Sequence, residues 1–451
     1  MKGLFQYTNF RRPNEIQTIA GGFLLLVFFG AFLLTLPISS RDGQWTNFLN
    51  CLLTSTSATC VTGLIAFDTF THWSIFGQII ILLMIQIGGL GFITIGVMFS
   101  MLFRRRIGLG QRSLMKESVN AMEIGGIVKL TRKILFGTLF FEGAGAILLS
   151  VRFIRDFGFL RGIYYGIFHS ISAFCNAGFD LMGISGEYSS FTTYWNDPYV
   201  IIILSCLIII GSLGFVVWDE ISIKKFHFKQ YSLHTKLVLS VNLILIVCGT
   251  ALMFLVERNN TIAGMNFGDG LLASFFGAVT PRTAGFNSID TGSLTNAGKF
   301  VTILLMFIGG SPGSTAGGIK TTTIAVMVIY LISNLRGSSG ANVFKRRIGD
   351  DIIKKACMVF FMNLFLSLIA ILIILATNHL AFVDTVFEVI SAISTVGMTA
   401  GITRELNTVG RIVIIILMYM GRVGSVTFAL SLVQRPAAQK IQYPQEKVSI
   451  G

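Results

Sequence analysis

Eight stretches of this 451-residue chain are apolar, nearly uncharged and about as long as a lipid bilayer is thick. They fall at about 16–36, 75–102, 131–151, 199–218, 235–256, 299–335, 353–376 and 410–432. The hydrocarbon core of a membrane takes roughly 20 residues of helix to cross, and every backbone polar group inside it must be paired within the segment or its neighbours. Soluble layered folds are therefore excluded, and helices carry the chain. Its charge content agrees, since only 12% of residues are Asp, Glu, Lys or Arg, about half the usual share in soluble domains. The stretch 16–36 is too long for a signal-peptide core and runs into Pro37, so it reads as a retained span.

The spans come in pairs, and each pair encloses a shorter half-apolar segment, at 47–58, 162–174, 268–279 and 382–393. These are too short to cross. They read as re-entrant helices, which membranes tolerate only beside protein or a water-filled cavity. The expected fold is an all-α polytopic membrane protein. Four tandem helix–re-entrant pore helix/loop–helix repeats surround a central pore with pseudo-four-fold symmetry. The repeats are 1–108, 109–232, 233–340 and 341–435, followed by a cytoplasmic tail at 436–451.

A net charge of +14 raises the question of nucleic acid, and the placement of the charges answers it. With both termini inside, the termini and the links between repeats hold 24 of the 35 Lys and Arg, while the stretches within repeats hold 9 beside twelve Asp and Glu. That is the positive-inside pattern of a multi-pass plasma-membrane protein, with the bilayer rather than nucleic acid as partner. Basic links near Arg104–Arg112 and Lys345–Arg347 read as docking surfaces for a partner or for anionic lipid. The six Cys are scattered singly and show neither disulfide nor metal-ligand spacing.

One mark recurs in every repeat. A glycine followed by a bulky apolar residue closes each re-entrant segment, in "TCVTGL", "FCNAGF", "PRTAGF" and "ISTVGM". The four glycines, Gly63, Gly178, Gly285 and Gly397, lie 115, 107 and 112 residues apart. Each following span carries two glycines three apart: Gly88 and Gly91, Gly211 and Gly214, Gly310 and Gly313, Gly421 and Gly424. Two marks in one order, four times over, identify one structural unit used four times. A dehydrated cation needs several oxygens at once, and four loops around an axis can supply a ring of carbonyls. Glycine visits the backbone angles that turn carbonyls inward, and the C-terminal ends of the short helices favour a cation. The expected ion-binding filter is Val61, Thr62 and Gly63; Asn176, Ala177 and Gly178; Thr283, Ala284 and Gly285; and Thr395, Val396 and Gly397. The alternative, helix packing, stays open for the paired span glycines.

The second span of repeat three is interrupted by "FIGGSPGSTAGGIKTTT". Proline and clustered glycines end a helix, and irregular backbone at membrane depth marks a cavity or ion path. The expected gate comprises Gly309, Gly310, Ser311, Pro312, Gly313, Ser314, Thr315, Ala316, Gly317, Gly318 and Lys320, with Arg422 from repeat four donating hydrogen bonds to it. Glu142, His169 and Glu388 read as packing or hydrogen-bonding groups, and Arg282 as a tie behind the third loop. No catalytic triad, phosphate-binding loop or zinc spacing is visible, so no enzyme is expected.

These features resemble the Trk/Ktr/HKT superfamily of cation transporters over essentially the whole chain, and within it the KtrB-type potassium uptake subunits of bacteria. The resemblance implies potassium as the transported ion and sodium-dependent uptake, with sodium as a second cation. It implies homodimers with one pore per protomer, and gating by a cytosolic Rossmann-type ring that binds nucleotide. This chain has no dinucleotide fingerprint, so any nucleotide would sit on that separate subunit. Within the family, glycine at all four filter positions leans toward potassium. A sodium-selective member, and an alternating-access carrier, are the competing readings. The carrier is disfavoured because all four repeats run the same way.

Overall fold

The computed structural model of the protein describes residues 15–102, 108–118, 125–225, 227–338, 340–424 and 446. The basic run at 104–106 and, apart from Glu446, the expected tail at 436–451 lie outside the described residues. Among the described residues there are sixteen α-helices and one two-stranded hairpin.

Each repeat opens on one long continuous helix: α1 (Glu15–Thr35), α6 (Ile127–Phe157), α10 (Leu233–Glu257) and α14 (Asp350–Thr377). These four are long and apolar enough to cross a membrane. Leu25, Phe29, Leu139, Phe140, Leu255, Phe365 and Leu372 point outward from them, as helices surrounded by lipid allow. The short segments form α2 (Phe48–Cys60), α7 (Phe159–Phe174), α11 (Phe267–Val279) and α15 (Phe382–Ile393). Their ends are deeply buried: α2 from Leu53 onward, and all of α15 from Phe387 onward. The re-entrant helices thus occupy the protein's interior.

The last element of each repeat starts at a polar cap. Ser74, Asp197, Thr295 and Asn407 accept the N–H groups of Gly77, of Tyr199 and Val200, of Gly298 and of Gly410, respectively. A capping oxygen satisfies donors the first helical turn leaves free. From these caps run α3 (Ile75–Leu90), α8 (Pro198–Leu213), α12 (Asn296–Phe307) and α16 (Thr408–Val423).

Here the structure departs from the sequence reading. The second spans 75–102 and 199–218 were expected to be continuous, and both are broken. Gly91 separates α3 from α4 (Phe92–Leu102), and Gly214 separates α8 from α9 (Phe215–Lys224), with a 96° bend at the second break. Gly424 caps the end of α16, where the described part of the span 410–432 stops. All three glycines have positive φ, at +81°, +98° and +95°, which an α-helix cannot carry. The break expected in repeat three is therefore the longest of the three that the described residues span.

Between repeats lie α5 (Leu109–Ser118) and, between α13 (Thr321–Leu335) and α14, a hairpin of β1 (Asn342–Val343) and β2 (Arg346–Arg347). Phe344 and Lys345 form its turn with φ of +49° and +59°, the left-handed pair that a two-residue turn of this twist requires.

Candidate functional site

The four Gly-containing loops meet on one axis. A side chain at Gly63 would meet the carbonyl oxygen of Ala177 at 2.8 Å, and one at Gly178 that of Ala284 at 2.7 Å. One at Gly285 would meet the carbonyl of Val396, and one at Gly397 that of Thr62, so the cycle closes on itself. Each of these four glycines thus lies against the backbone of the next repeat, in the order one, two, three, four. No room for a β-carbon exists at any of them without moving backbone.

The loops share a conformation. Val61, Asn176, Thr283 and Thr395, two residues before each glycine, have φ of +58°, +60°, +73° and +51°, and the glycines that follow are also positive. Left-handed backbone at alternate residues is costly for a β-branched side chain and persists only where the surroundings hold it. The holding groups are visible. The N–H groups of Thr62, Ala177 and Val396 donate back to the carbonyls of Ser57, Ser172 and Ser391 at 2.8, 2.8 and 2.9 Å. In repeat three Ala284 donates to Thr280 at 2.9 Å. With N–H groups consumed on the helix side, the loops are left with carbonyl oxygens to present.

A ring of hydroxyls completes the support, and the sequence reading missed it. Ser57 and Ser391 accept the N–H of Gly63 and Gly397 at 2.9 and 3.1 Å. Ser172 and Thr280 donate to the carbonyls of Phe179 and Phe286, both at 2.7 Å. A hydroxyl residue five or six positions before each filter glycine is the signal that would have found it.

The paired span glycines divide their work. Side chains at Gly88, Gly211 and Gly421 would run into the carbonyls of Thr59, Phe174 and Ile393, the last turns of α2, α7 and α15. They let each span lie on the end of its pore helix, which is the packing alternative. The second of each pair makes the break. Repeat three differs: Gly310 faces Ala316 of its own loop instead of a pore-helix end.

That loop, between α12 and α13, lies between repeats two and four. Toward repeat two, Ser311 and Thr315 donate N–H groups to Ser212 and Gly211 at 3.0 and 3.3 Å, and Phe215 donates to Gly313 at 2.7 Å. Toward repeat four, Gly317 lies against Thr395, Gly318 against Ser394, and the Gly318 N–H reaches Gly421 at 3.4 Å. The loop folds on itself through Gly309 to Ile319 and Thr321 to Gly310. Pro312 turns its carbonyl to Gly214, and Ser314 Oγ donates to Ser311 at 2.7 Å. Lys320 Nζ donates to the carbonyls of Ala316 and Gly317 at 2.7 and 3.3 Å. Arg422 donates to the Thr315 carbonyl and to those of Gly88 and Gly89, at 2.5 and 2.9 Å for the latter two. Arg422 thus joins the broken stretch of repeat three to the end of α3 in repeat one.

The other polar residues behave as support. Leu181 N–H donates to His169 Nε2 at 3.0 Å, so the proton sits on Nδ1 and donates to Tyr165 at 2.7 Å. Glu388 accepts hydroxyls from Thr399, at 2.7 Å, and from Thr403. Glu142 accepts from Gln86 at 3.0 Å. Arg282 is fully buried and donates to Asn242, whose amide reaches Ser311 at 3.2 Å. Among the described residues no cluster of His, Cys, Asp and Glu could hold a resident metal ion.

Fold and site together define a polytopic membrane transport protein whose four internal repeats enclose one axis. The chain belongs to the TrkH family of cation transport proteins, which residues 6–443 match. It is 41% identical to the potassium/sodium uptake protein NtpJ of Enterococcus hirae, over 98% of both chains. It is 40% identical to the Ktr system potassium uptake protein B of Bacillus subtilis, over 96% of each. Its counterpart in Vibrio alginolyticus is 36% identical over 100% of this chain and 99% of that one. The crystal structure of the potassium transporter TrkH from Vibrio parahaemolyticus superposes with a TM-score of 0.75, covering 95% of this chain and 86% of that one at 16% identity, which shows the shared fold. These relatives are uptake proteins, not enzymes.

Proposed function

We propose that this protein carries potassium into the cell through the ring formed by the loops at 61–63, 176–178, 283–285 and 395–397. The observation that carries the reading is the closed cycle in which each filter glycine abuts the carbonyl of the next repeat. Such a ring replaces a cation's water shell with backbone oxygens. The ion named for the Enterococcus and Bacillus relatives supports potassium. The segment from Gly309 to Lys320, tied by Arg422, acts as the gate beneath it.

The protein works in the plasma membrane with both termini in the cytoplasm, as a homodimer of four-repeat protomers. A separate cytosolic nucleotide-binding ring opens it, in keeping with the word "system" in the relatives' names. Uptake is sodium-dependent. A sodium-permeable path is the second reading, favoured by Val61, which places no hydroxyl where Thr283 and Thr395 have one, and by the potassium/sodium name of one relative.

The test is potassium uptake at limiting potassium in cells lacking their own potassium systems. Wild type is compared with Gly397→Ser and Gly285→Ser, with and without sodium and a cytosolic subunit. Restored uptake in the wild type, with weaker affinity or sodium entry in the glycine variants, is expected. Uptake untouched by both substitutions, with the proteins present in the membrane, overturns the filter.

A further inference from the structure

Three of the four filter loops carry Val61, Thr283 or Thr395 two residues before the glycine; the second carries Asn176. A carboxamide has a donor end and an acceptor end, and both are engaged here. Its Nδ2 lies 3.4 Å from the Arg282 carbonyl and 3.4 Å from Thr283 Oγ1, in the third filter loop. The carbonyl is purely an acceptor, which fixes the amide's orientation. Its Oδ1 therefore faces the other way, 3.4 Å from Thr315 Oγ1 in the gate loop. The single Thr315 hydroxyl proton is shared between Asn176 Oδ1 and the nearer carbonyls of Gly211 and Phe174, at 3.0 and 3.2 Å, and the Thr315 carbonyl receives Arg422. Asn176 and Thr315 are both fully buried.

We propose that Asn176 and Thr315 form a latch that couples the gate loop to the filter. The proposal rests on the filter and gate reading above and names the positioning residues that join them. The asymmetry of the ring supports it. Val61 has no polar atom to offer, and Thr395 Oγ1, though it lies against Gly317, has no hydrogen-bond partner among the described residues. The loop's side-chain tie to the filter is therefore made through repeat two. When the loop leaves, Thr315 takes its hydroxyl away and Asn176 Oδ1 loses its donor. A buried acceptor left unpaired is costly, so the displaced state must supply water or the transported cation in its place. The same carboxamide still holds the third loop, so movement of the gate is transmitted to the spacing between filter loops two and three.

The test uses the full-length protein in liposomes, with rubidium-86 influx driven by a potassium gradient and no activating subunit. Thr315→Val removes the hydroxyl at constant shape; Thr315→Ser keeps it; Asn176→Gly removes the carboxamide and tolerates a φ of +60°. Thr315→Val and Asn176→Gly are each expected to raise basal influx roughly three- to tenfold, the effect of one lost buried hydrogen bond. The double variant should leak less than the product of the two single effects, because the contact between the two side chains can be lost only once, although each substitution also removes bonds of its own. Thr315→Ser should match wild type, and Asn176→Gly alone should lower rubidium preference over sodium. Wild-type influx in both single variants, multiplicative effects in the double, or equal leak in Thr315→Ser and Thr315→Val each overturns the latch. If Thr315→Val does not reach the liposomes, Asn176→Gly alone decides on basal influx. A wild type that carries no rubidium or potassium even with a cytosolic subunit present overturns the proposed function instead, which keeps the two failures distinct.

Discussion

The guanidinium of Arg422 donates to the carbonyl oxygen of Thr315, so a side chain from the fourth repeat closes on the backbone of a loop from the third. The same guanidinium reaches the carbonyls of Gly88 and Gly89 in the first repeat. A charged donor in a buried setting makes hydrogen bonds about twice as strong as neutral ones. Three repeats are thereby tied at one point, directly under the ring.

Arg422→Ala is predicted to raise basal cation flux at least tenfold, since charge-assisted bonds contribute roughly 1.5–3 kcal/mol each. Arg422→Lys should restore only part of the closure, because an ammonium lacks the planar fork that spans several carbonyls. Flux into proteoliposomes decides; equal flux in wild type and Arg422→Ala would show that the tie does not hold the loop.

Gly214 links the bend of repeat two to the broken stretch of repeat three. Its φ is +98°, and a side chain there would stand 2.6 Å from the Pro312 carbonyl. Gly214→Ala is therefore predicted to lower the thermal midpoint, at a backbone cost of about 1–3 kcal/mol, and to raise basal flux by dislodging Pro312. A thermal shift in detergent, paired with the flux measurement, checks both. A stable variant with an intact gate would place the strain elsewhere.

Ser391 and Ser57 hold the amides of Gly397 and Gly63. Replacing either with Ala removes one buried bond, about 1 kcal/mol, and frees a filter glycine to rotate. Competition between potassium and sodium in uptake should shift toward sodium severalfold, with the amount of protein in the membrane unchanged. Unaltered competition in both variants would mean the hydroxyls serve folding alone.

Lys299 Nζ lies 2.8 Å from Asp384 Oδ1, joining α12 to the start of α15, and both side chains are largely shielded. Lys299→Met should destabilise more than the double variant Lys299→Met with Asp384→Asn, because the single change strands a carboxylate. Comparing thermal midpoints tests this. A double variant less stable than the single would show that the pair itself, not the stranded charge, matters.

How much of this was legible depended on what a residue type can signal alone. The repeats, the recurrent loop glycines and the broken stretch of repeat three were readable, because glycine recurring at matched places after apolar runs has few explanations. The breaks at Gly91 and Gly214 and the positive φ of Gly424 were not. A lone glycine in an apolar helix either packs or breaks, and only its φ distinguishes the two. The hydroxyls of Ser57, Ser172, Thr280 and Ser391 were hidden because Ser and Thr in membrane helices commonly bond their own preceding turn. The hairpin around Phe344 and Lys345 was silent for a third reason: its turn lacks the Asn-Gly or Asp-Gly pair that announces such geometry.

Gly88, Gly211 and Gly421 each seat a span on the end of a pore helix, whereas Gly310 lies against its own loop and Ser212 of repeat two. Duplication within one chain, unlike assembly from four identical subunits, allowed a single quadrant to give up its seat while the others kept theirs. A tetramer of equal parts must move four doors and can pause with some ajar. With the proposed gate confined to one segment, currents through a single chain are predicted to step between shut and full conductance without intermediate levels.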